Sequence, residues 1–544
     1  MLPTPLSLLL CLVGVLNSAW ALPDLQSSPE DGNSYDESLV LRPLADGKLS
    51  VLFRFHTKAH NAKVHHSLTP PTLILPLQRN NVSELHLSFA AGRWQHDRWG
   101  PPLHPEVGGT GAEMRAWIRG DEIEEKWTSV TNAMAGIFCS SLGQIDSAIT
   151  TSPVDIFPRN PRNSEAAGRL LHAQLPSETL CTENLTPFLK LLPCKGISGI
   201  SGLMKPYVLL AHDWHAMGVD YTSSEDDTET DLVLWWEAVV NLVDWEKDAK
   251  RDFSIHSLFD RDLPRECPVA QTSEIILTGQ DQDLGQLVSG SPSSTSGDGF
   301  RIWEYDHSLA GKNLDFRWIN ESTFIPPVHI APNPVTFSRI LTGTGQLEGG
   351  LETAIRNNGE ETRRVRYVEV LPWWIQPWMH ELRIDEDSRP ADHLVREQRY
   401  IPAIDRTRPT TLSLELSLPP KTALRVHLPF NKAFIRYTEH PPDASRGFDL
   451  PPAILYLQDL AERNDSDSAS APFWKASKLR IYSSKLLLDL ATPDFSMPYN
   501  VIIMTSTLMA LFFGSVFNAI TRRFGVVEVE AVEKDVAVVP SHQD

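Results

Sequence analysis

Along much of this chain the apolar residues recur at every second position. Leu49, Val51, Phe53 and Phe55 alternate with Ser50, Leu52 and Arg54, and Leu85, Leu87 and Phe89 repeat the pattern. Met114, Ala116 and Ile118 carry it more weakly, and Leu314, Phe316 and Trp318 carry it again. A period of two puts such residues on one side of an extended chain, so each run predicts a half-buried strand. The clearest signal is Leu412, Leu414, Leu416 and Leu418, then Pro419-Pro420-Lys421, then Leu424, Val426, Leu428 and Phe430. Two alternating runs across so short a breaker-rich turn predict a hairpin, with Phe434 and Tyr437 opening a weaker third strand. Leu232 to Val243, Val365 to Leu371 and Arg480 to Leu490 are further strand candidates, while Trp94 to Pro102 reads as a loop.

Two stretches break the alternation. From Glu124 to Leu142 the apolar residues Trp127, Val130, Met134, Ile137 and Phe138 fall three or four apart, which predicts an amphipathic helix whose stripe packs in the core. From Val501 to Ile520 no residue is charged, and Arg522-Arg523 closes the run. A helix of that length crosses roughly 30 Å of hydrocarbon, so a transmembrane helix is expected at 501–521. Lys and Arg accumulate on the cytosolic side, which sends the tail 522–544 to the cytosol and the body to the lumen. At the other end, the apolar Leu6 to Leu16 precedes Ala19-Trp20-Ala21, so residues 1–21 read as a signal peptide although no basic residue leads it. The expected topology is single-pass, type I, with most of the chain luminal.

Between these ends the breakers set the organisation. Ser289 to Gly299 is Ser, Gly, Pro and Asp with almost no apolar residue, which is linker composition. We therefore place a linker at 284–300 between β-rich luminal domains at 22–283 and 301–490. Ser223 to Asp231 and Asp465 to Pro472 read as solvated loops. Pro187 and Pro193 are expected to keep Cys181 and Cys194 in a loop or at strand ends. Pro493 and Pro498 are expected to keep the juxtamembrane segment 491–500 out of the helix. Tyr499 and Asn500 would then lie at the headgroup level as candidate lipid or subunit contacts.

Composition agrees with a mainly β fold, since 41 prolines are many for a helical bundle. The formal charge of −20 argues against nucleic acid, which needs a basic footprint. Of five cysteines Cys11 lies in the signal segment, and Cys139, Cys181, Cys194 and Cys267 allow three internal pairings in an oxidising lumen, Cys181 with Cys194 among them. No Cys or His spacing resembles a metal site, and no cofactor motif is present. Sequons at Asn81, Asn184, Asn320 and Asn464 are glycosylation candidates.

Candidate catalytic sets are of low specificity. His65-His66 with Cys139 or Cys181 has no spatial warrant in sequence, and His212-Asp213-Trp214-His215 lacks the H-E-x-x-H spacing. Gly196-Ile197-Ser198-Gly199 is one residue short of a nucleophile elbow. The residues alone favour a membrane-anchored β-rich interaction protein over an enzyme. A luminal carbohydrate-binding or cargo receptor with exposed tryptophans is the alternative.

Several stretches, in chain order, resemble the PIG-T family of GPI transamidase subunits. The most specific are Cys181-Thr-Glu-Asn-Leu-Thr-Pro187 with Leu191-Leu-Pro-Cys194, and Thr492-Pro-Asp-Phe-Ser-Met-Pro-Tyr-Asn-Val-Ile502 entering the apolar run. Glu84-Leu-His-Leu-Ser-Phe89, Trp99-Gly-Pro-Pro102 and Gly136-Ile-Phe-Cys139 support them, so the resemblance covers nearly the whole mature chain. It implies luminal β-sandwich-like domains, one C-terminal span and no catalytic residues of the chain's own. It also implies a place in an endoplasmic reticulum complex that removes a C-terminal signal from a precursor protein and joins the new end to a GPI lipid. In that family a separate caspase-like cysteine protease subunit performs the cleavage. The cysteine matching Cys181 forms an interchain disulfide to that subunit, which leaves one internal bridge among Cys139, Cys194 and Cys267.

Overall fold

The computed structural model describes residues 33–525, apart from 61–67, 160–167, 225–228, 246–248, 280–286, 289–293, 297–299, 320, 328–332, 344, 387–388, 442, 459–471, 474–479 and 493–495. The signal segment, the distal tail, Asn320, Asn464 and the His65-His66 pair therefore lie outside the described residues. The chain forms two compact units: one runs to Arg436 and resumes over Ser445–Leu490, and the other joins Tyr437–Ala444 to the chain from Ala491 onward.

The first unit is mainly β, as its alternating pattern demands. Its larger sheet has ten strands in the order Ser294–Ser296, Phe300–Glu304, Thr272–Thr278, Ser34–Pro43, Lys48–His60, Glu229–Asn241, Trp214–Ser223, Val82–Ala91, Gly111–Arg119 and Gly168–Leu175. All neighbours pair antiparallel except Ser34–Pro43 with Thr272–Thr278, which run parallel. Val51, Phe53 and Phe55 point to one face with Leu87, Phe89 and Met114, and Val40, Leu52 and Trp235 point to the other. The strands at 49–55 and 85–89, expected to be half-buried, are covered on both sides, whereas Asp315–Trp318 alternates buried and exposed as expected; even Ser50 is enclosed, its hydroxyl donating to Glu237 at 3.1 Å.

Three helices cover the first face: α1 (Pro71–Arg79), α2 (Ile123–Phe138) and α3 (Thr182–Leu191). The stripe that predicted α2 is what it buries: Val130, Met134 and Phe138 are fully enclosed, each contributing about 1.5–3 kcal/mol by burial. Helix α3 replaces the expected loop at Cys181 to Pro187. Pro187 costs one backbone bond, but Leu185, Phe188 and Leu191 lie three residues apart and bury on one side, so packing outweighs the proline.

The second half of this unit is two sheets facing one core. One runs Val335–Thr342, Glu348–Asn357, Ala423–Lys432, Arg383–Glu386 and Arg389–Pro390, with Ile375–Pro377 also pairing with Ala423–Lys432. The other runs Val395–Ile401, Thr410–Leu418, Arg363–Leu371, Ile454–Leu457 and Arg480–Tyr482. The two leucine-rich runs expected to form a hairpin belong to different sheets. Both sets of leucines enter the same core; they face each other across it instead of lying side by side, and alternation alone does not separate these arrangements. Phe434 is exposed and Tyr437 begins a 3-10 turn, so neither starts a third strand.

The core of the ten-stranded sheet includes Trp303, Tyr305, Leu314, Phe316 and Trp318, and the core of the facing sheets begins at Val335. Strands Ser294–Ser296 and Phe300–Glu304 therefore sit at the edge of the first sheet, and the change of core falls between Trp318 and Val335.

In the second unit α4 (Ser496–Thr521) is the membrane-crossing candidate, with Tyr499–Thr521 long and apolar enough to span. It starts before the expected 501. Pro498 is its third residue, where a backbone N–H would have no partner inside the helix, so the proline is tolerated.

Candidate functional site: a thiol corner and an ionic seam

The motif that pointed to Cys181 folds into a corner between α2 and α3. Cys181 is the extended residue before α3, half-buried, and its thiol is free. Its backbone N–H and its thiol both donate to Asn184 Oδ1, at 2.9 and 3.0 Å. The Asn184 Nδ2 then donates to the Phe138 carbonyl at 2.8 Å, at the last residue of α2. One amide side chain thus joins the start of one helix to the end of the other. Cys139 follows at once with φ of 51° and a free, exposed thiol.

The sequon at Asn184 makes it a glycosylation candidate, and the fold corrects this. The residue is fully enclosed and its amide nitrogen is spent on Phe138, so no glycan fits there. The exposed Asn81, in a left-handed turn with φ of 52°, is sterically open.

The internal bridge is Cys194–Cys267, with Cα atoms 6.0 Å apart and 73 residues between them in sequence. Both cysteines are buried in the first core, so the alternative of Cys181 with Cys194 is not the one the fold adopts. Cys139 is the remaining candidate of that set and stays unpaired.

A second cluster lies on the other face of the ten-stranded sheet, where the facing sheets pack against it. There His86, Glu113, Arg115, His172 and Asp220 project from the strand positions that alternate with the apolar ones. Asp220 is bonded by His86 Nδ1 at 2.5 Å, His104 Nε2 at 2.8 Å and Trp235 Nε1 at 3.0 Å. Gly218 is needed here, because a Cβ would stand 2.4 Å from the Trp235 ring. Burial pushes the Asp220 carboxyl upward, but His86 and His104 outweigh it and hold Asp220 well below the usual range. Burial and then the charge of Arg115 push His86 down, so a neutral imidazole donates from Nδ1 and faces Ser88 through Nε2.

Residues from distant parts of the chain complete the seam. Glu106 accepts from Arg115 and, at 2.7 Å, from Arg480 Nη1. Arg480 also donates from Nε to the Ile156 carbonyl at 3.0 Å and lies over the Phe157 ring. Tyr482 donates to Glu113 at 3.1 Å, and His172 lies 3.3 Å from the same carboxylate. Burial acts upward on both acids, yet Arg480 and Arg115 hold Glu106 at about 2, and His172 and Arg115 hold Glu113 at about 2. A cavity of about 290 Å³ opens beside this network, lined by His86, Glu106, Arg115, Phe157, Asp220 and Arg480 among others. An apolar patch of Ile156, Phe157 and Leu170 against Val368, Ile454 and Tyr456 continues the contact.

Sequence reasoning did not find this seam. The signal available was the set of charged residues inside strands whose other positions are apolar, and nothing in it tells which strands meet.

The other expected features fall elsewhere. His215 is buried, its Nδ1 3.2 Å from the His212 carbonyl oxygen. Among the described residues no group of three or more His, Cys, Asp or Glu is arranged to hold a metal. Trp94, Trp99, Trp214, Trp235, Trp236, Trp303 and Trp318 are all buried, and among the described tryptophans only Trp245 is largely exposed. Tyr499 and Asn500 are exposed at the start of α4, and the Tyr499 ring lies 6.3 Å from that of Tyr437.

Comparison with known proteins shows the family. The family model described as "Gpi16 subunit, GPI transamidase component" matches residues 19–252 and 244–541. The "GPI-anchor transamidase component PIGT" of Homo sapiens is 31% identical, covering 96% of this chain and 95% of that one. The "GPI transamidase component PIG-T homolog" of Schizosaccharomyces pombe is 32% identical over 90% of each chain, and the "GPI transamidase component GPI16" of Saccharomyces cerevisiae is 30% identical over 91% of this chain and 89% of that one. The chain belongs to the PIG-T (Gpi16) family of GPI transamidase components.

Proposed function

We propose that this subunit is the non-catalytic scaffold of its transamidase, and that Cys181 forms an interchain disulfide with the caspase-like protease subunit. The observation that carries the reading is the state of the thiols. With Cys194 and Cys267 joined inside the core, Cys181 is a half-buried free thiol held by Asn184 at the start of a helix. A bridge there turns further docking into an intramolecular event, raising the effective concentration of the two surfaces. In this account α4 crosses the endoplasmic reticulum membrane with the sheets in the lumen, type I, beside the other membrane subunits, the GPI lipid and the precursor protein.

A non-reducing gel of the purified complex tests the bridge. The wild type is expected to run as a larger covalent species that Cys181→Ser resolves into separate chains. Identical mobility of the two would contradict it. The topology has its own check: Asn81 is expected to carry a glycan that a glycosidase removes, and modification of the 522–544 tail by a luminal label would reverse the orientation.

A further inference from the structure

The second unit pairs two pieces of chain that are distant in sequence, the turn Tyr437–Ala444 and the helix α4. The Tyr437 and Tyr499 rings stand edge to face, 6.3 Å apart at an interplanar angle of 67°, and their side chains share a hydrogen bond. The turn around Tyr437 is closed by a bond from the His440 N–H to the Tyr437 carbonyl. Both rings keep exposed surface, Tyr437 at 36% and Tyr499 at 52%.

The helix fixes the depth of this pair. Tyr499 is the first residue of the stretch apolar enough to span, Tyr499–Thr521, so it stands where the hydrocarbon gives way to the headgroups. The headgroup layer is about 5–7 Å thick on each side of the hydrocarbon. Tyr499 therefore lies inside it, and the Tyr437 ring is within 6.3 Å of the same level. Tyrosine is at home there, its ring apolar and its hydroxyl wet.

We infer that the turn at Tyr437–His440 is a second membrane contact, a lipid-headgroup docking element that meets the bilayer beside the start of α4. The inference rests on α4 being a membrane span. The turn lies between Arg436 and Ser445, so this contact is made by a segment that precedes the helix by more than fifty residues in the chain.

Photo-crosslinking on the full-length chain in phosphatidylcholine nanodiscs tests this, with p-benzoyl-phenylalanine replacing Tyr437, Tyr499 or the mid-helix Leu508 one at a time and adducts read by intact mass. Lipid adducts are expected at all three positions, with the yield at 437 within about threefold of that at 499, as two side chains at one interfacial level should give. Labelling at 508 and 499 without labelling at 437 overturns the inference and leaves the span standing. A cross-link from 437 to protein instead of lipid also overturns it. No lipid adduct at 508 removes the span, and the inference with it.

Discussion

Cys181 and Glu113 both sit where two elements meet, in opposite surroundings. Cys181 is half-buried between two helix ends, held by one amide side chain and leaving its sulfur free. Glu113 is 1% exposed between two sheets and spends its oxygens on Tyr482, His172 and Arg115. A buried charge network is costly to break, because each missing partner leaves another charge unpaired. A surface thiol contributes little to the fold and is free to face outward. The Cys181 thiol is thus separable from stability, while the seam is not.

The largest effect that sharpens this contrast is expected from Glu106→Ala, which leaves the Arg115 and Arg480 guanidinium groups, with side chains 12% and 6% exposed, without their shared carboxylate. It should cost about 3–5 kcal/mol in urea unfolding, and Glu106→Gln less. The same network makes the fold acid-sensitive. Glu106 and Glu113 are held at about 2 against an ordinary 4.5, so the unfolded chain takes up protons first as pH falls. Their stabilisation is present above about pH 4.5 and is lost on the way to about pH 2. Thermal unfolding across that window should be steeper for the wild type than for Glu113→Gln. Equal slopes would mean that the seam does not carry the ionised carboxylates described.

Opening the internal bridge with Cys194→Ala should come next, at about 2–4 kcal/mol by the loop-closure argument. Asn184→Ala removes the link between α2 and α3 and should cost about 1–3 kcal/mol. It should also leave the number of glycans unchanged, read as gel mobility before and after deglycosylation; a lost glycan would show that the buried amide is accessible after all. The smallest change is expected from Cys181→Ser, within about 0.5 kcal/mol, since serine is itself a good helix N-cap. A large loss of stability there would erase the contrast between thiol and seam.

How far the sequence carries differs between these regions. The cysteine motif points to Cys181 through its resemblance to a family, because the motif's residues are contiguous, but not to the Asn184 link that makes the corner. Its helix is not legible locally, because Pro187 reads as a breaker and the burial of Leu185, Phe188 and Leu191 is a tertiary effect. The leucine runs read as strands, but their partners do not, because alternation fixes a face and leaves the neighbour open. The seam was illegible for the same reason: Glu106, Glu113, Asp220 and Arg480 lie up to 374 residues apart. Only the packing of one sheet against another brings them together.

The central claim is that Cys181 reaches outward while Cys194 and Cys267 close on each other, and peptide mapping of the unreduced, thiol-blocked complex tests it most directly. The expected result is one Cys194–Cys267 linked peptide pair, a blocked Cys139, and Cys181 joined to a peptide of the protease subunit. Finding Cys181 linked to Cys139 or Cys194, or blocked as a free thiol in the assembled complex, would contradict it.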